Sequence, residues 1–331
     1  MLTPKQNPKP RKGLWAQPCA HSRGGWWGCW RQGDTIGGVE TEYTYDAVGN
    51  RLSMTRGTTT LYYDYNVYDQ LAEIKEGETT ISAYAYDLSG NQTSKTQGDT
   101  VTRYYYDAAN WLASVTEQTG QGTETTLAAF EYDAAGQRTK KTAGASVTNY
   151  YYSGLDLLYT KDGSGGIMEE NVLEPDGSMI VSRRANGNDY WYRLDIRGSV
   201  TNIVDAADNV AKSYAYEAYG ATTGTGTLTN SFAYTGAIID TETGLYYMNA
   251  RYYEPETGRF ISEDSYRGDG EGFWHLYLYC DGDPVNATDP TGHYFVMKKI
   301  TNDFDYYWFM KYGFFQCEEE GGGRIKDKSG P

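Results

Sequence analysis

The chain has 331 residues, of which 39% are hydrophobic, and this is enough for one large or two ordinary domains with a buried core. Its formal net charge of −15 argues against nucleic acid as a general partner, because a phosphate backbone needs a surplus of Lys and Arg. No run of about eighteen apolar residues occurs, so no segment of the sequence is predicted to span a membrane.

The aromatic composition predicts β structure. Tyr occurs 33 times and Phe 9 times, so most ring area carries a hydroxyl that needs a hydrogen-bond partner. Such rings suit a half-exposed sheet better than a dry helical core. Gly occurs 39 times, and long Leu-rich stretches with a period of about 3.6 residues are missing. We therefore expect an all-β fold with few helices.

Residues 1–37 are predicted to form a basic, disordered leader. They contain Pro, Gly and basic residues, no Tyr-Asp pair, and no acidic residue before Asp34. Their four Trp residues leave open the alternative of a displaced segment of sheet. The leader lacks the apolar stretch of a signal peptide, so we expect any export to be directed by something outside this sequence.

The cysteines predict neither a disulfide framework nor a metal site. Cys19, Cys29, Cys280 and Cys317 are scattered and form no C-x-x-C pair. Cys19 and Cys29 flank His21, but a fourth metal ligand is not evident nearby, so unpaired thiols are the better interpretation. We expect no metal and no cofactor.

A short phrase built on Tyr-Asp recurs five times in the first half of the chain. The pairs are Tyr45-Asp46, Tyr68-Asp69, Tyr86-Asp87, Tyr106-Asp107 and Tyr132-Asp133, and they are 23, 18, 20 and 26 residues apart. These spacings are typical of a supersecondary unit with variable loops.

Three of the units read YDAVGNR, YDLSGNQ and YDAAGQR, and each predicts a turn. Asp at the first position can hydrogen-bond its own backbone two residues on, and Gly49, Gly90 and Gly136 can adopt the positive φ that closes a hairpin. In the other two units, VYDQLAEI and YYDAANWLASV, another residue replaces the Gly. Aromatic runs before the turns, such as EYTYD and AYAYD, are typical of strands.

Weaker copies of the pattern continue the predicted sheet. In DIRGSVTNIVDAADNV, Asp205 and Asp208 begin a further reversal. Because one hairpin alone is marginally stable in water, the units are predicted to pair edge to edge into one antiparallel sheet over about residues 40–235. The sheet should place four tyrosines on comparable faces: Tyr45, Tyr86, Tyr106 and Tyr132.

Two later phrases are more specific than the repeats. They are GLYYMNARYYEPETGRFISED, residues 244–264, and NATDPTG, residues 286–292. Together with the Tyr-Asp units they resemble the YD repeats and the repeat-associated core of Rhs proteins, over about residues 40–293. The resemblance implies the C-terminal portion of a spiralling shell of stacked antiparallel hairpins. In such proteins the shell encloses a C-terminal polypeptide, often a toxin, and the core is a self-cleaving plug. They occur among bacterial polymorphic toxins and as the C component of insecticidal toxin complexes.

The resemblance divides the sequence into the leader (1–37), a shell segment (38–235), the core with its cleavage site (236–293) and a variable tail (294–331). The implied partners are the protein's own tail or cargo, the remaining repeats of a larger shell, and a delivery machinery. Nucleic acid and a membrane span are not expected. The implied location is secreted or at the cell surface.

Self-cleavage needs catalytic groups, and the sequence offers few. No G-x-S-x-G phrase occurs, the histidines are His21, His275 and His293, and no cysteine has a supporting context. Two neighbouring carboxylates can share one proton, so that one is a base toward water and the other an acid. The resemblance assigns these roles to Asp264 and Asp289.

The resemblance also assigns a role to Arg251, thirteen residues before Asp264, whose guanidinium would hold a carboxylate ionised or stabilise an oxyanion. It places the cut after His293, where relatives usually have Leu, so that Tyr294 becomes a new N-terminus. A pocket built for Leu accommodates an imidazole poorly, and a protonated imidazole would favour ionised carboxylates over a shared proton. We therefore expect slow or incomplete cleavage.

Each of the three residues also has a purely structural interpretation. Asp264 precedes a Gly-rich loop that it could cap, Asp289 precedes Pro and is a natural start of a turn, and Arg251 could form an ion pair beside Tyr rings. Asp283, which also precedes Pro, is the nearest alternative carboxylate.

The tail after His293 changes character along its length. Its first part, YFVMKKITNDFDYYWFMKYGFFQ, is aromatic and apolar and predicts a strand pair or a short helix. The polar, Gly-rich remainder is predicted to be disordered. With 38 residues the tail is too small for a usual globular enzyme domain, so we interpret it as a remnant, a truncated effector or the first segment of a longer cargo.

Two other functions remain open at the level of sequence. Tyr and Trp on an exposed β face can stack on sugar rings, which would make the chain a non-catalytic surface module that binds carbohydrate or protein. The third interpretation is an enzyme that acts in trans, for which the sequence offers no other convergent site.

Overall fold

The computed structural model describes residues 17–18, 30–36, 39–173, 180–185, 187–266, 275–301 and 304–309. Most of the described chain is one antiparallel sheet of 20 strands, in which each strand pairs with the next along the sequence. The strands are β1 (Gln17–Pro18), β2 (Trp30–Ile36), β3 (Val39–Tyr45), β4 (Arg51–Arg56), β5 (Thr59–Tyr65), β6 (Leu71–Glu76), β7 (Thr79–Tyr86), β8 (Gln92–Gln97), β9 (Thr100–Tyr106), β10 (Leu112–Thr119), β11 (Thr125–Tyr132), β12 (Arg138–Ala143), β13 (Ser146–Ser153), β14 (Asp156–Asp162), β15 (Ile167–Leu173), β16 (Ile180–Ala185), β17 (Asn188–Leu194), β18 (Val200–Val204), β19 (Val210–Tyr216) and β20 (Thr222–Thr225).

Seven further strands form two smaller sheets. The four-stranded sheet consists of β21 (Ile238–Asp240), β22 (Leu245–Met248), β23 (Arg251–Glu254) and β24 (Arg259–Phe260). The three-stranded sheet consists of β25 (Ala287–Thr288), β26 (Val296–Thr301) and β27 (Phe304–Phe309). The helices of the described residues are two 3-10 turns, Tyr234–Gly236 and Cys280–Gly282, and no helix there is long and apolar enough to cross a membrane. The predicted all-β class is confirmed, and the first part of the tail forms a strand pair.

The sheet begins earlier than residue 38. β2 pairs with β3 over its whole length, starting from Trp30 opposite Tyr45, and β1 pairs with β2. Both strands lie in the segment that was expected to be a disordered leader, and backbone hydrogen bonds to the neighbouring strand order them. The rest of residues 1–37 lies outside the described ranges.

Each predicted turn has a fixed pattern of side-chain hydrogen bonds. Asp46 Oδ1 accepts the backbone N–H groups of Val48 at 3.0 Å and of Asn50 at 2.8 Å, and Gly49 has a φ of 91°. Asp begins the phrase because its carboxylate satisfies backbone donors that the reversal leaves unpaired. The same two bonds recur in the turns that begin at Asp87, Asp107, Asp133, Asp195 and Asp205.

The second unit departs from the predicted alignment on Tyr-Asp. Its turn begins at Asn66, whose Oδ1 accepts the N–H groups of Tyr68 at 2.9 Å and Gln70 at 3.1 Å. Asp69, the Asp of this Tyr-Asp pair, lies instead at the position where three of the units have Gly, with a φ of 57°. Asn offers the same side-chain oxygen as Asp, and Asp tolerates positive φ better than most residues. The turns that begin at residues 46, 66, 87 and 107 are therefore 20 or 21 residues apart.

Asp208 shows the same exchange in a later turn. It was expected to begin a reversal together with Asp205, but the turn begins at Asp205 alone. Asp208 occupies the Gly position with a φ of 64°. A sequence pattern that requires Gly at this position therefore misses turns in which Asp takes its place.

The four tyrosines that end β3, β7, β9 and β11 lie on one face of the sheet, as predicted. Three of them contact residues from the segment after β20, and the fourth contacts the turn before β20. These contacts join Tyr86 to the ring of Tyr277, Tyr106 to the carbonyl of Ile261, Tyr132 to the hydroxyl of Tyr252, and Tyr45 to the hydroxyl of Tyr219.

The sheet is coiled but not closed. The hydroxyl oxygens of Tyr45 and Tyr219 are 2.7 Å apart although these residues belong to the first and last parts of the sheet. Arg56 forms an ion pair with Glu217 across the same junction. Within the described ranges β20 pairs with β19 and with no strand on its other side. Such an edge is a place where a further strand can add.

The turns along one edge of the sheet form a rim that holds residues 230–266 and 275–293, called here the plug segment. The rim consists of the turns that begin at residues 46, 66, 87, 107, 133, 195 and 217. The hydroxyl of Tyr277 donates to the carbonyl of Gly90 at 2.8 Å, and the hydroxyl of Tyr246 donates to the carbonyl of Gly220 at 3.0 Å. The repeated turn therefore both reverses the chain and presents backbone acceptors to the plug segment.

The largest core cluster joins the sheet to the plug segment. Val115 and Ile203 of the sheet and Leu245 and Ile261 of the plug segment belong to it, and each is at most 1% exposed. Burying one such aliphatic side chain contributes about 1.5–3 kcal/mol to folding. A second cluster, which includes Tyr253, lies largely within the plug segment. The plug segment is thus part of the folded core.

Candidate functional site

Arg251 is the centre of a buried polar cluster in the plug segment. It is the first residue of β23 and is 5% exposed. Its Nη2 lies 2.9 Å from Asp264 Oδ2 and 3.7 Å from Asp289 Oδ2. Nη1 donates to the carbonyl of Leu276 at 2.9 Å, and Nε donates to the carbonyl of Gly292. Each nitrogen of the guanidinium therefore has a partner.

The surroundings of Arg251 act on its charge in opposite directions. Burial lowers the pKa of Arg251, and the carboxylates of Asp264 and Asp289 oppose this effect. The guanidinium carbon also lies 3.6 Å from the ring centroid of Phe260, an arrangement in which the ring face attracts the cation. The two carboxylates and the ring together compensate for the lost hydration of a buried cation.

A tight hairpin between β22 and β23 positions the NATDPTG loop against Arg251. The N–H of Ala250 donates to the carbonyl of Thr291 at 3.1 Å, and the Asn249 side chain donates to the carbonyl of Pro290 at 2.8 Å. Gly292 has a φ of 75°, and a Cβ at this position would lie 2.2 Å from the carbonyl oxygen of Met248. Gly is therefore required for the loop to approach the hairpin this closely.

Asp264 is held from three directions in the loop that follows β24. Its N–H donates to the carbonyl of Leu276 at 3.0 Å. Its Oδ1 accepts the N–H of Tyr266 at 2.8 Å and lies 2.7 Å from His293 Nδ1. Because a carboxylate oxygen accepts, His293 Nδ1 carries the proton in this contact. With Arg251 on Oδ2, both oxygens of Asp264 have donors.

Asp289 is 4% exposed and begins a turn. Its Oδ1 accepts the N–H of Gly292 at 2.8 Å, and both the N–H and the hydroxyl of Thr291 at 3.3 Å. Burial raises the pKa of Asp289 to about 6, although Arg251 and the backbone N–H groups oppose the rise. The protonated form is therefore populated below about pH 6.

The structure brings Arg251, Asp264, Asp289 and His293 into one cluster. The two carboxylates meet at a single nitrogen of Arg251 but differ in their surroundings, because burial favours a proton on Asp289 while donors surround Asp264. Two carboxylates in unlike environments can divide the acid and base roles. The structural roles considered from the sequence are also present: Asp264 and Asp289 each accept backbone N–H groups, and Arg251 is paired, beside Phe260 rather than Tyr.

Thr291 lies at the junction with the tail, and the sequence analysis did not single it out. Its Oγ1 accepts the N–H of His293 at 3.2 Å and the N–H of Tyr294 at 3.4 Å. The signal that could have indicated it is a Thr two residues before the predicted cleavage residue, a spacing typical of a hydroxyl-capped turn.

Three further chemically active residues of the described chain, Asp283, His275 and Cys280, form none of the hydrogen bonds or ion pairs of this cluster. Asp283 accepts the N–H of Asn286 at 3.3 Å and its side-chain amide at 2.9 Å, which is a local capping role. His275 Nε2 lies 2.7 Å from Asn50 Oδ1, and burial lowers its pKa to about 3. Cys280 is a buried free thiol whose pKa burial raises.

The other cysteines and one histidine considered in the sequence lie outside the described ranges. These are Cys19, Cys29, Cys317 and His21. Among the residues that the structure describes, no group of three or more His, Cys, Asp or Glu side chains could hold a metal ion.

Several known proteins are similar to this chain. The sequence profile of the family described as Teneurin YD-shell matches residues 34–269. The tRNA3(Ser)-specific nuclease WapA of Bacillus spizizenii is 35% identical over 146 residues, which cover 42% of this chain and 6% of the nuclease. The toxin protein Tse5 of Pseudomonas aeruginosa is 47% identical over 57 residues, which cover 17% of this chain and 4% of the toxin. A chain in the crystal structure of TcdB2-TccC3-Cdc42 matches 80% of this chain with 18% of its own length, at 16% identity and a TM-score of 0.47.

Proposed function

Since this chain belongs to the Teneurin YD-shell family, we propose that it is a structural shell segment of an Rhs-type toxin-delivery protein. The segment encloses the protein's own C-terminal polypeptide and releases it by one self-cleavage after His293. The remaining repeats of a larger shell, a cargo and a delivery machinery are its proposed partners. The protein is also proposed to be secreted or displayed at the cell surface.

The position of the polar cluster carries this proposal. Arg251 binds both carboxylates and also the carbonyl of Gly292, one residue before the proposed cleavage residue. His293 itself touches Asp264. The cluster therefore lies at the boundary between the plug segment and the tail, which is where a release reaction has to act.

The coiled sheet supports the enclosing role. Its first and last parts meet through Tyr45 and Tyr219, and the plug segment is packed on the turn rim. In this position the plug segment covers one end of the coiled sheet, and the tail begins beside it at Tyr294.

The proposed reaction is hydrolysis of the peptide bond between His293 and Tyr294. Asp264 takes a proton from a water molecule, whose oxygen attacks the carbonyl carbon of His293. Asp289, in its protonated form, supplies the proton that the leaving nitrogen of Tyr294 requires. A positioned acid or base of this kind typically accelerates a reaction by about 10²–10⁴-fold.

The intact mass of the purified chain tests the proposal. We expect one polypeptide that ends at His293 and a second that begins at Tyr294, recovered together from size-exclusion chromatography under native conditions. N-terminal sequencing of the smaller polypeptide identifies the bond. A chain that remains whole after prolonged incubation at pH 5 to 7 would favour the non-catalytic surface module instead.

Replacing His293 by Leu should increase the cleaved fraction at equal time and pH. The imidazole donates a hydrogen bond to Asp264 Oδ1 at 2.7 Å, so it competes with water for the proposed base. A hydrogen bond to a charged group contributes about 1.5–3 kcal/mol, which corresponds to about a ten- to hundredfold faster reaction when it is lost. Quantitative mass spectrometry of a time course measures this change.

His293→Gln is the matched control for that variant. Gln keeps a side-chain N–H donor in place of the imidazole, so it should react at a rate close to that of the wild type. If His293→Leu is cut no faster than the wild type, His293 does not restrain the reaction, whatever the roles of Asp264 and Asp289.

A further inference from the structure

The Thr291 hydroxyl lies between a buried acid and the nitrogen that the proposed cleavage would release. Thr291 Oγ1 is 3.3 Å from Asp289 Oδ1 and 3.4 Å from the backbone nitrogen of Tyr294. A hydroxyl group can accept one proton while it donates another. Thr291 therefore has the chemistry and the position to connect these two atoms.

The main chain of Thr291 is anchored on both sides. Its carbonyl accepts the N–H of Ala250 at 3.1 Å, and its own N–H donates to Asp289 Oδ1 at 3.3 Å. The hydroxyl also accepts the N–H of His293 at 3.2 Å. These bonds hold the hydroxyl against the proposed scissile segment, and distances of this length in a resting site commonly shorten as the reaction proceeds.

Asp289 has no direct hydrogen bond to the nitrogen of Tyr294 in the described structure. Its Oδ1 is directed to Gly292 and Thr291, and its Oδ2 faces Arg251. An acid that cannot reach the leaving nitrogen needs an intermediate donor.

We propose that Thr291 is a catalytic residue that passes the proton of Asp289 to the leaving nitrogen of Tyr294. This inference rests on the proposed self-cleavage and adds a residue to it. Thr291 also holds the cleaved segment in place. The proton transfer, called here the relay, makes a separate prediction about how the cleavage rate depends on pH.

The proton balance of the proposed step is complete. Water adds its oxygen to the carbonyl carbon of His293 and gives one proton to Asp264. When the carbon–nitrogen bond breaks, its electron pair stays on the Tyr294 nitrogen, which takes the hydroxyl proton of Thr291. Thr291 takes the proton of Asp289 in the same step. The products are a carboxyl group on His293 and an amine on Tyr294, and exchange with solvent restores the two aspartates.

The groups that face Asp289 define the expected pH dependence. They are Arg251 from β23, Asp264 from the loop after β24, and Cys280 from the second 3-10 turn. Burial outweighs Arg251 and raises the pKa of Asp289 to about 6, so the acid is present below that pH and is lost above it. The cleavage rate of the wild type should therefore fall by about tenfold per pH unit above pH 6.

The test compares Thr291→Val and Thr291→Ser with the wild type, each also in the His293→Leu chain. Uncut chain is recovered in urea and refolded by dilution at pH 5 to 8, and the rate constant of cleavage is measured by mass spectrometry. Thr291→Val should be slower by about a hundredfold or more and should lose the fall in rate above pH 6, because the proton of Asp289 no longer reaches the bond. Thr291→Ser keeps the hydroxyl and should restore both the rate and its pH dependence.

Thr243→Val is the matched control. Thr243 Oγ1 accepts the N–H of Leu245, two residues on, at 3.3 Å, so it forms the same local turn away from the cluster. This variant should be cut at the wild-type rate.

The outcomes separate the relay from the cleavage itself. If Thr291→Val is as fast as the wild type, or is slow with an unchanged pH profile, the relay is wrong and Thr291 at most positions the chain. If no chain is cut, or if Asp264→Asn is cut as fast as the wild type, the proposed self-cleavage fails and the relay fails with it.

Discussion

Replacing either Asp264 or Asp289 by Asn is expected to abolish cleavage between His293 and Tyr294. Asn has nearly the same shape as Asp, but it can neither accept a proton from water as a carboxylate does nor supply one as a carboxylic acid does. Removing one acid or base costs about 10²–10⁴-fold in rate, so each chain should remain uncut over the time in which the wild type is processed. Intact mass measures the result.

The geometry provides a control for this pair of substitutions. Asp283 also precedes Pro, but its carboxylate bonds to Asn286 and not to Arg251. Asp283→Asn should therefore be cut at the wild-type rate. All three variants should keep the β-type far-UV circular dichroism spectrum, since their acceptor oxygens remain. Cleavage that persists in both Asp264→Asn and Asp289→Asn would rule out the carboxylate mechanism.

The local chemistry of the repeats allowed the fold to be predicted, but not the exact alignment of every unit. The Asp46 carboxylate accepts backbone N–H groups of the turn that it begins, so the turn can be predicted from neighbouring residues in the sequence. Asn66 and Asp69 exchange the two roles, and a pattern based on Tyr-Asp pairs cannot detect the exchange. For β2 the sequence left both a disordered leader and a displaced segment of sheet open, because β2 is ordered by pairing with β3 and its own composition resembles a linker.

For the candidate site, too, short sequence phrases indicated residues, but they did not indicate the contacts that the fold creates between distant segments. The resemblance to Rhs cores indicated Arg251, Asp264 and Asp289, and the fold places them in contact. Sequence spacing could not indicate that His293 would touch Asp264, nor that Thr291 would lie between Asp289 and Tyr294. Such contacts depend on how two loops are packed against the β22–β23 hairpin.

The sequence analysis also assigned no role to the last residue of two repeat phrases. YDAVGNR and YDAAGQR end in Arg51 and Arg138, and both side chains reach from the turn rim to the plug segment. Arg51 lies 4.2 Å from the ring centroid of Tyr219 and donates to the carbonyl of Glu256 at 3.4 Å. Arg138 pairs with Asp240 of β21. The repeat thus supplies cations that hold the plug segment on the rim.

Replacing Asp240 by Asn is expected to destabilise the folded chain by about 3–5 kcal/mol, the usual cost of leaving a buried charge without its partner. Asp240 and Arg138 are both 0% exposed, and Asp240 is the carboxylate paired with Arg138 among the described residues. Burial alone would lower the pKa of Arg138, but Asp240 and the surrounding tyrosines keep it raised. The midpoint of urea unfolding, followed by circular dichroism, measures the loss.

Arg138→Met should cost less than Asp240→Asn. Without Arg138, Asp240 keeps Lys141, whose Nζ lies 3.1 Å from Asp240 Oδ1. Without Asp240, Arg138 keeps ring contacts with Tyr150 and Tyr247 at 4.6 and 4.4 Å but loses its buried counter-charge. The larger of the two losses in stability therefore identifies the charge that depends more strongly on its partner.

An exposed ion pair on the same sheet provides the control. Arg184 pairs with Asp189 at 2.8 Å, but the side chains are 60% and 50% exposed, and exposed pairs contribute about 0–1 kcal/mol. Arg184→Met should therefore leave the urea midpoint nearly unchanged.

The same substitutions should also differ in their effect on cleavage. Asp240 belongs to β21, the strand that precedes the β22–β23 hairpin of Arg251. Asp240→Asn should therefore slow cleavage after His293, whereas Arg184→Met should not. If Asp240→Asn shifts the midpoint no more than Arg184→Met, the buried pair does not hold the plug segment, and the hydrophobic cluster alone accounts for its position.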